Sequence, residues 1–80
     1  MEINETESGV EYSENGRTLS FSGEQDMGEV HLDGVFYGYY ELGYELGTDT
    51  IYIKTSEGVE LAKFVFDEDS YLEFADKMFK

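Results

Sequence analysis

His31 is the only histidine, and Asp33 follows two residues later in a stretch that alternates apolar and polar side chains. In an extended strand the two share a face, so an imidazole–carboxylate pair is conceivable. General acid–base work also needs a pocket and a third positioned group, and no nucleophile motif surrounds this pair. His31 therefore reads as a solvated or cross-strand-paired residue. Asp67-Glu68-Asp69 could open a calcium loop, but the EF-hand pattern needs Gly at position six and Glu at twelve. Those positions hold Leu72 and Met78, so helix capping explains the run better. Carboxylate clusters bind hard cations, which leaves a weak surface calcium site open. No residue is assigned to catalysis, to a cofactor or to a metal.

The remaining chemistry lies in the acids themselves. Glu24, Asp26, Glu29, Asp33, Glu41, Glu45 and Asp49 fall within or beside one long alternating run, together with the outward-phase tyrosines Tyr37 and Tyr39. Alternate strand residues recur every ~6.6 to 6.8 Å, close to twice the spacing of about 3.4 Å per nucleotide along one DNA strand. A carboxylate row on a strand face can therefore imitate a phosphate row, and these nine residues are the expected partner-binding set. A folded surface of about 4,900 Å² would carry roughly one net charge per 350 Å², against about one per 110 Å² on duplex DNA. Imitation thus requires the acids to gather on one side. Otherwise they form a solvated face with ordinary strand tyrosines.

Nineteen acids against five Lys and Arg leave a net charge of −14 on 80 residues. Residues 1–50 hold twelve acids and one cation, Arg17; residues 51–80 hold seven acids and four Lys. Such density repels and destabilises the compact state, disfavours nucleic acid and anionic membrane as partners, and favours a cationic one. Disorder competes as an explanation, but the aromatic content of 16% runs against it. Salt adaptation would favour Asp and disfavour Lys, whereas the chain has thirteen Glu to six Asp and four Lys to one Arg. Solubility alone needs a net charge of only about 2 to 8. With no cysteine there is neither a disulfide framework nor a thiolate site. Residues 1–30 lack signal-peptide character and no run is long enough to span a membrane, so a soluble cytoplasmic protein is expected.

Residues 1–80 supply apolar material for one small core, hence a single domain. Residues 1–8 read as a frayed end or a short edge strand. Asn15-Gly16 between alternating runs predicts a hairpin with strands near 9–13 and 17–22. Residues 30–46 keep a period of two, the even positions running from Val30 through Leu32, Phe36 and Tyr40 as the core face. Asp33-Gly34 could turn the chain there, or Gly34 and Gly38 could be bulges in one bent strand. Turns at 47–49 and 56–58 frame a second hairpin, whose strand at 59–66 is more continuously apolar than the others and so expected to be more central. From Asp67 the period becomes helical, with Tyr71, Phe74, Ala75, Met78 and Phe79 in one stripe. The expected fold is α+β: an antiparallel sheet of about four to six strands with one C-terminal helix packed on one face.

In size, acidity, absence of cysteine and sheet-plus-helix layout the chain resembles the small, acidic, phage-encoded inhibitors of bacterial defence, the anti-CRISPR and anti-restriction proteins. That resemblance is one of class and carries no residue-level motif. It implies a non-enzymatic DNA mimic that occludes the Lys/Arg-lined channel of a nucleic-acid-binding partner, such as a defence nuclease or effector complex. The alternative is an acidic adaptor or regulatory module that docks on a basic protein with no nucleic-acid role.

Overall fold

Three of the chain's reversals are the same two-residue hairpin turn, at Asn15-Gly16, Asp33-Gly34 and Leu46-Gly47, with φ of 51° and 78°, 53° and 82°, 52° and 81°. Both residues of such a turn sit at positive φ, and its twist matches that of the flanking strands. The computed structural model describes residues 1–80. The chain runs through strands β1 (Glu2–Thr6), β2 (Gly9–Glu14), β3 (Arg17–Gly23), β4 (Met27–Leu32), β5 (Val35–Glu45), β6 (Thr48–Lys54) and β7 (Glu60–Val65), followed by helix α1 (Glu68–Met78), and these turns join β2 to β3, β4 to β5 and β5 to β6. Each strand pairs antiparallel with the next, in the order β1 to β7. No helix is long and apolar enough to cross a membrane.

The sheet has seven strands, one more than the upper end of the expected range. Two causes account for this. The acidic N-terminal segment is held as an edge strand by a ladder to β2, with Ile3 opposite Tyr12 and Glu5 opposite Val10. Asp33-Gly34 turns the chain, dividing the long alternating run into β4 and β5. A further expectation is overturned at the other end. The apolar strand β7 is an edge strand, not a central one, and leaves Leu61 and Val65 exposed. It lies there because the sheet is a simple meander and the chain leaves β7 directly for the helix.

One face of the sheet holds Tyr12, Leu19, Phe21, Val30, Tyr40, Ile51 and Ile53, all buried, and α1 lies across it through Phe74 and Ala75. Asp67 caps the helix by accepting from the Ser70 N–H at 2.8 Å, with Glu68 and Asp69 in the first turn and Lys77 in the last. Those charges oppose the helix dipole at both ends. The Tyr71 ring lies 6.3 Å from Tyr12 on β2 and 5.0 Å from Phe64 on β7. Flat strands spaced ~4.8 Å apart would hold β2 and β7 about 24 Å from each other. The sheet therefore curls around the helix, giving an inner face that carries the core and an outer face left to solvent.

Two neighbouring bulges set which side chains reach the outer face. Val30 pairs with Gly38 but His31 pairs with Phe36, so Tyr37 is the extra residue. Ile53 pairs with Ala62 but Lys54 pairs with Glu60, so Leu61 is extra. A bulge reverses the in–out phase of the strand beyond it. Phe36, expected inside, is delivered to the outer face beside His31. Tyr37, expected outside, packs against the core and faces α1 across a groove shared with Leu61 and Met78.

Leu46 occupies the positive-φ first turn position and is 97% exposed. Leucine meets steric opposition there, whereas asparagine enters the left-handed region readily. Leu46→Asn should raise stability by about 1 kcal/mol, read as a higher urea midpoint with unchanged slope; no rise would show that Leu46 is not strained.

Candidate partner-binding surface

All five Lys and Arg side chains are held by carboxylates of the chain itself. Arg17 Nε donates to Asp33 at 2.9 Å and Lys54 to Glu41 at 2.8 Å, while Lys63 donates to Glu45 at 3.1 Å. On the helix, Lys77 pairs with Glu73 at 3.7 Å and Lys80 with Asp76 at 3.1 Å. Exposed pairs of this kind are individually weak, because solvent screens them and two long side chains must be held in one geometry. Their consequence is an accounting one: fourteen of the nineteen acids have no Lys or Arg partner, and no cation is left over. Spread over 5177 Å², the net charge amounts to roughly one per 370 Å².

The structure divides the nine expected residues. Glu29, Tyr39, Glu41 and Glu45 share the outer face, with Glu29 directly opposite Tyr39, and Glu41 opposite Met27 on one side and Tyr52 on the other. Glu24 and Asp26 lie in the adjoining β3–β4 loop, where the Glu24 N–H bonds to the Met27 carbonyl at 2.8 Å. Asp33 sits apart in the β4–β5 turn. Asp49 lies opposite Tyr44 near the start of β6, and Tyr37 faces the helix. The set thus supplies one outer-face group, Glu29, Tyr39 and Glu41 with Glu45 farther along β5, then Glu24 and Asp26 in the adjoining loop, and three outliers, Asp33, Tyr37 and Asp49.

Two members are structural anchors. Asp33 accepts from the Thr18 N–H at 3.0 Å as well as from Arg17. The Thr18 bond, then Arg17, hold its carboxyl below the usual range. Asp33 is thus committed to the turn, and the pairing with His31 conceived from sequence does not form. Glu45 accepts from the Tyr52 hydroxyl at 2.6 Å and from Lys63. Its carboxyl is held low first by Tyr52 and then by Lys63, and the same bonds push Tyr52 and Lys63 up. The Tyr52 ring lies over Gly43, where a β-carbon would come within 2.5 Å of it. With Gly43 between Glu41 and Glu45, and both acids bound by lysine, β5 does not carry a bare phosphate-like row.

Sequence reasoning missed the apolar centre of this surface. Met27 is 58% exposed, Phe36 44% and Tyr39 45%. The Phe36 and Tyr39 rings are 5.0 Å apart and His31 meets the Phe36 ring at 5.7 Å. Beside them a recess of about 430 Å³ is lined by Met27, Glu29, Tyr39, Glu41, Lys54 and Ser56, among others. The one available signal was Gly38, since a glycine inside a strand marks a bulge, and this bulge places Phe36 outside. Exposed aromatic anchors ringed by charge are the usual make-up of a protein-binding surface. No protein-family model matches the chain, and neither the curated proteins nor the solved structures contain a match.

Proposed function

We propose that this chain is a non-enzymatic inhibitor that acts in the cytoplasm by occupying a Lys/Arg-lined nucleic-acid-binding channel of a partner protein. One observation carries this reading: the five Lys and Arg side chains and the N-terminal amine, which pairs with Glu14 at 3.8 Å, are all taken up internally, leaving thirteen side-chain carboxylates without one of these cations. The Met27, Phe36 and Tyr39 cluster supplies the contact that charge alone does not. Long-range attraction speeds encounter, and desolvated aromatic rings slow release. The reading fits the class of acidic phage-encoded inhibitors of bacterial defence.

A second reading, an acidic adaptor on a basic protein without a nucleic-acid role, is favoured by the lysine-bound Glu41 and Glu45. A partner recognising rings within an acidic rim need not bind phosphate rows. Competition separates the two. The immobilised chain is loaded from a bacterial lysate at low salt and then challenged with duplex DNA or guide RNA at constant ionic strength. Release of the retained protein by nucleic acid is the expected result. Retention through that challenge, with release by salt alone, would transfer the conclusion to the adaptor.

A further inference from the structure

Outer-face side chains of β4, β5 and β6 stand in two rows beside the recess of about 430 Å³. In the first row Tyr39 lies between Glu29 and Lys54; in the second, Glu41 lies between Met27 and Tyr52. Cross-strand neighbours share a face, so the half-exposed Tyr39 ring is flanked by a carboxylate on one side and an ammonium on the other.

The recess is braced on both sides by hydrogen bonds of the chain itself. On one side the Tyr40 hydroxyl donates to the Glu24 carbonyl at 2.7 Å and the Leu42 N–H to the Asp26 carbonyl at 2.8 Å, which pins the loop leading into Met27. On the other, the β6–β7 loop closes on itself. The Gly58 N–H donates to the Thr55 carbonyl and the Thr55 N–H to the Val59 carbonyl, both at 2.9 Å, and Ser56 is held at the edge of the recess. Gly28 lines the wall where a β-carbon would run into the Ser22 carbonyl and the Tyr40 ring, so no side chain fills the space there. A site held in this way loses little freedom when it is occupied.

The charges around it leave one vacancy. Lys54 is committed to Glu41 Oε1 at 2.8 Å, with its ammonium over the Tyr52 ring at 5.5 Å. Glu29 meets no Lys or Arg; its ion-pair neighbour is the His31 imidazole, 3.8 Å away and beyond hydrogen-bond reach. Glu29, Glu41 and Lys54 together carry one net negative charge, which a single added cation balances. An exposed phenol ring beside an unengaged carboxylate suits a planar guanidinium better than a compact ammonium. The guanidinium stacks on the ring, is less strongly hydrated, and presents paired N–H donors to the carboxylate.

We infer that this recess seats one arginine side chain of the partner, its guanidinium lying on the Tyr39 ring and donating to Glu29. The subsite rests on the outer-face reading, but its test needs no partner protein. NMR shifts of the Met27 methyl and the Tyr39 ring are followed while N-acetyl-L-arginine amide, N-acetyl-L-lysine amide or free L-arginine is added at constant ionic strength. Saturable shifts with half-saturation at roughly 1 to 30 mM are expected for the arginine amide, and at least about threefold weaker binding for the lysine amide of equal charge. Free arginine, whose own carboxylate meets the acidic surface, should also bind more weakly; tighter binding would assign the recess to a free amino acid and overturn the side-chain reading. Glu29→Gln and Tyr39→Leu, both at exposed positions, should each raise the half-saturation concentration at least about threefold, read at Met27. Glu73→Gln removes the same charge from the exposed side of α1 and should leave it within about 1.5-fold. Equal binding of the arginine and lysine amides, or an unchanged value in Glu29→Gln, would overturn the subsite, while the docking surface as a whole answers to the displacement experiment.

Discussion

Phe74→Ala should lower the unfolding free energy by about 3 to 5 kcal/mol, enough to leave much of the population unfolded in low-salt buffer. Phe74 is buried, stacks on Phe64 at 5.0 Å and meets Phe21 at 6.4 Å, so one ring joins the helix to two distant strands of the curled sheet. A domain of this size has only about 4 to 12 kcal/mol in total. The uncompensated carboxylates subtract from that sum by self-repulsion. Moving from about 0.01 M to 1 M salt shortens the Debye length from about 30 to 3 Å, so salt should restore part of the fold to the variant. Urea unfolding followed by circular dichroism at both salt concentrations reads both effects. A loss below about 1 kcal/mol would mean that the helix is not the lid of the core.

The same ring was legible in the sequence, because a helical stripe from Tyr71 to Phe79 behind a capping Asp67 has only one economical placement on a sheet. The Asn15-Gly16 hairpin was legible for a similar local reason: two residues with easy access to positive φ stand between alternating runs. What escaped was set by non-local pairing. Residues 1–8 read as either a frayed end or a short edge strand, and what decides for the strand is a ladder that belongs to β2. The phase of Phe36 and Tyr37 depends on where β4 fails to match β5, and periodicity within one strand does not contain that information. Leu46 shows a third kind of failure, a turn built on a residue its backbone disfavours. Of the candidate surface, the acids were legible as a composition, but which of them would meet a lysine was not. Glu41 and Lys54 face each other only because β5 and β6 pair in one particular register.

That register gives the account its sharpest consequence for binding. If Met27, Phe36 and Tyr39 anchor the partner inside an acidic rim, losses should follow position and not merely charge. Tyr39→Ala removes an anchor whose truncation at a binding hot spot costs about 2 kcal/mol or more, roughly 30-fold in affinity. Glu29→Lys reverses the rim acid directly opposite it. Glu73→Lys makes the identical change in net charge on the exposed side of α1, where it forfeits only a helix pair to Lys77 worth a few tenths of a kcal/mol, about 0.2 to 0.5. All three substitutions are at exposed positions, so the fold should survive each.

The deciding measurement is the affinity of the retained, nucleic-acid-displaceable partner for the parent chain and these three variants, at one salt concentration. Weakening of about 30-fold for Tyr39→Ala and about tenfold or more for Glu29→Lys, with Glu73→Lys within about threefold of the parent, is the predicted pattern. Equal weakening by the two charge reversals, together with full binding by Tyr39→Ala, would show that diffuse charge does the binding and that the outer-face patch is not the docking site.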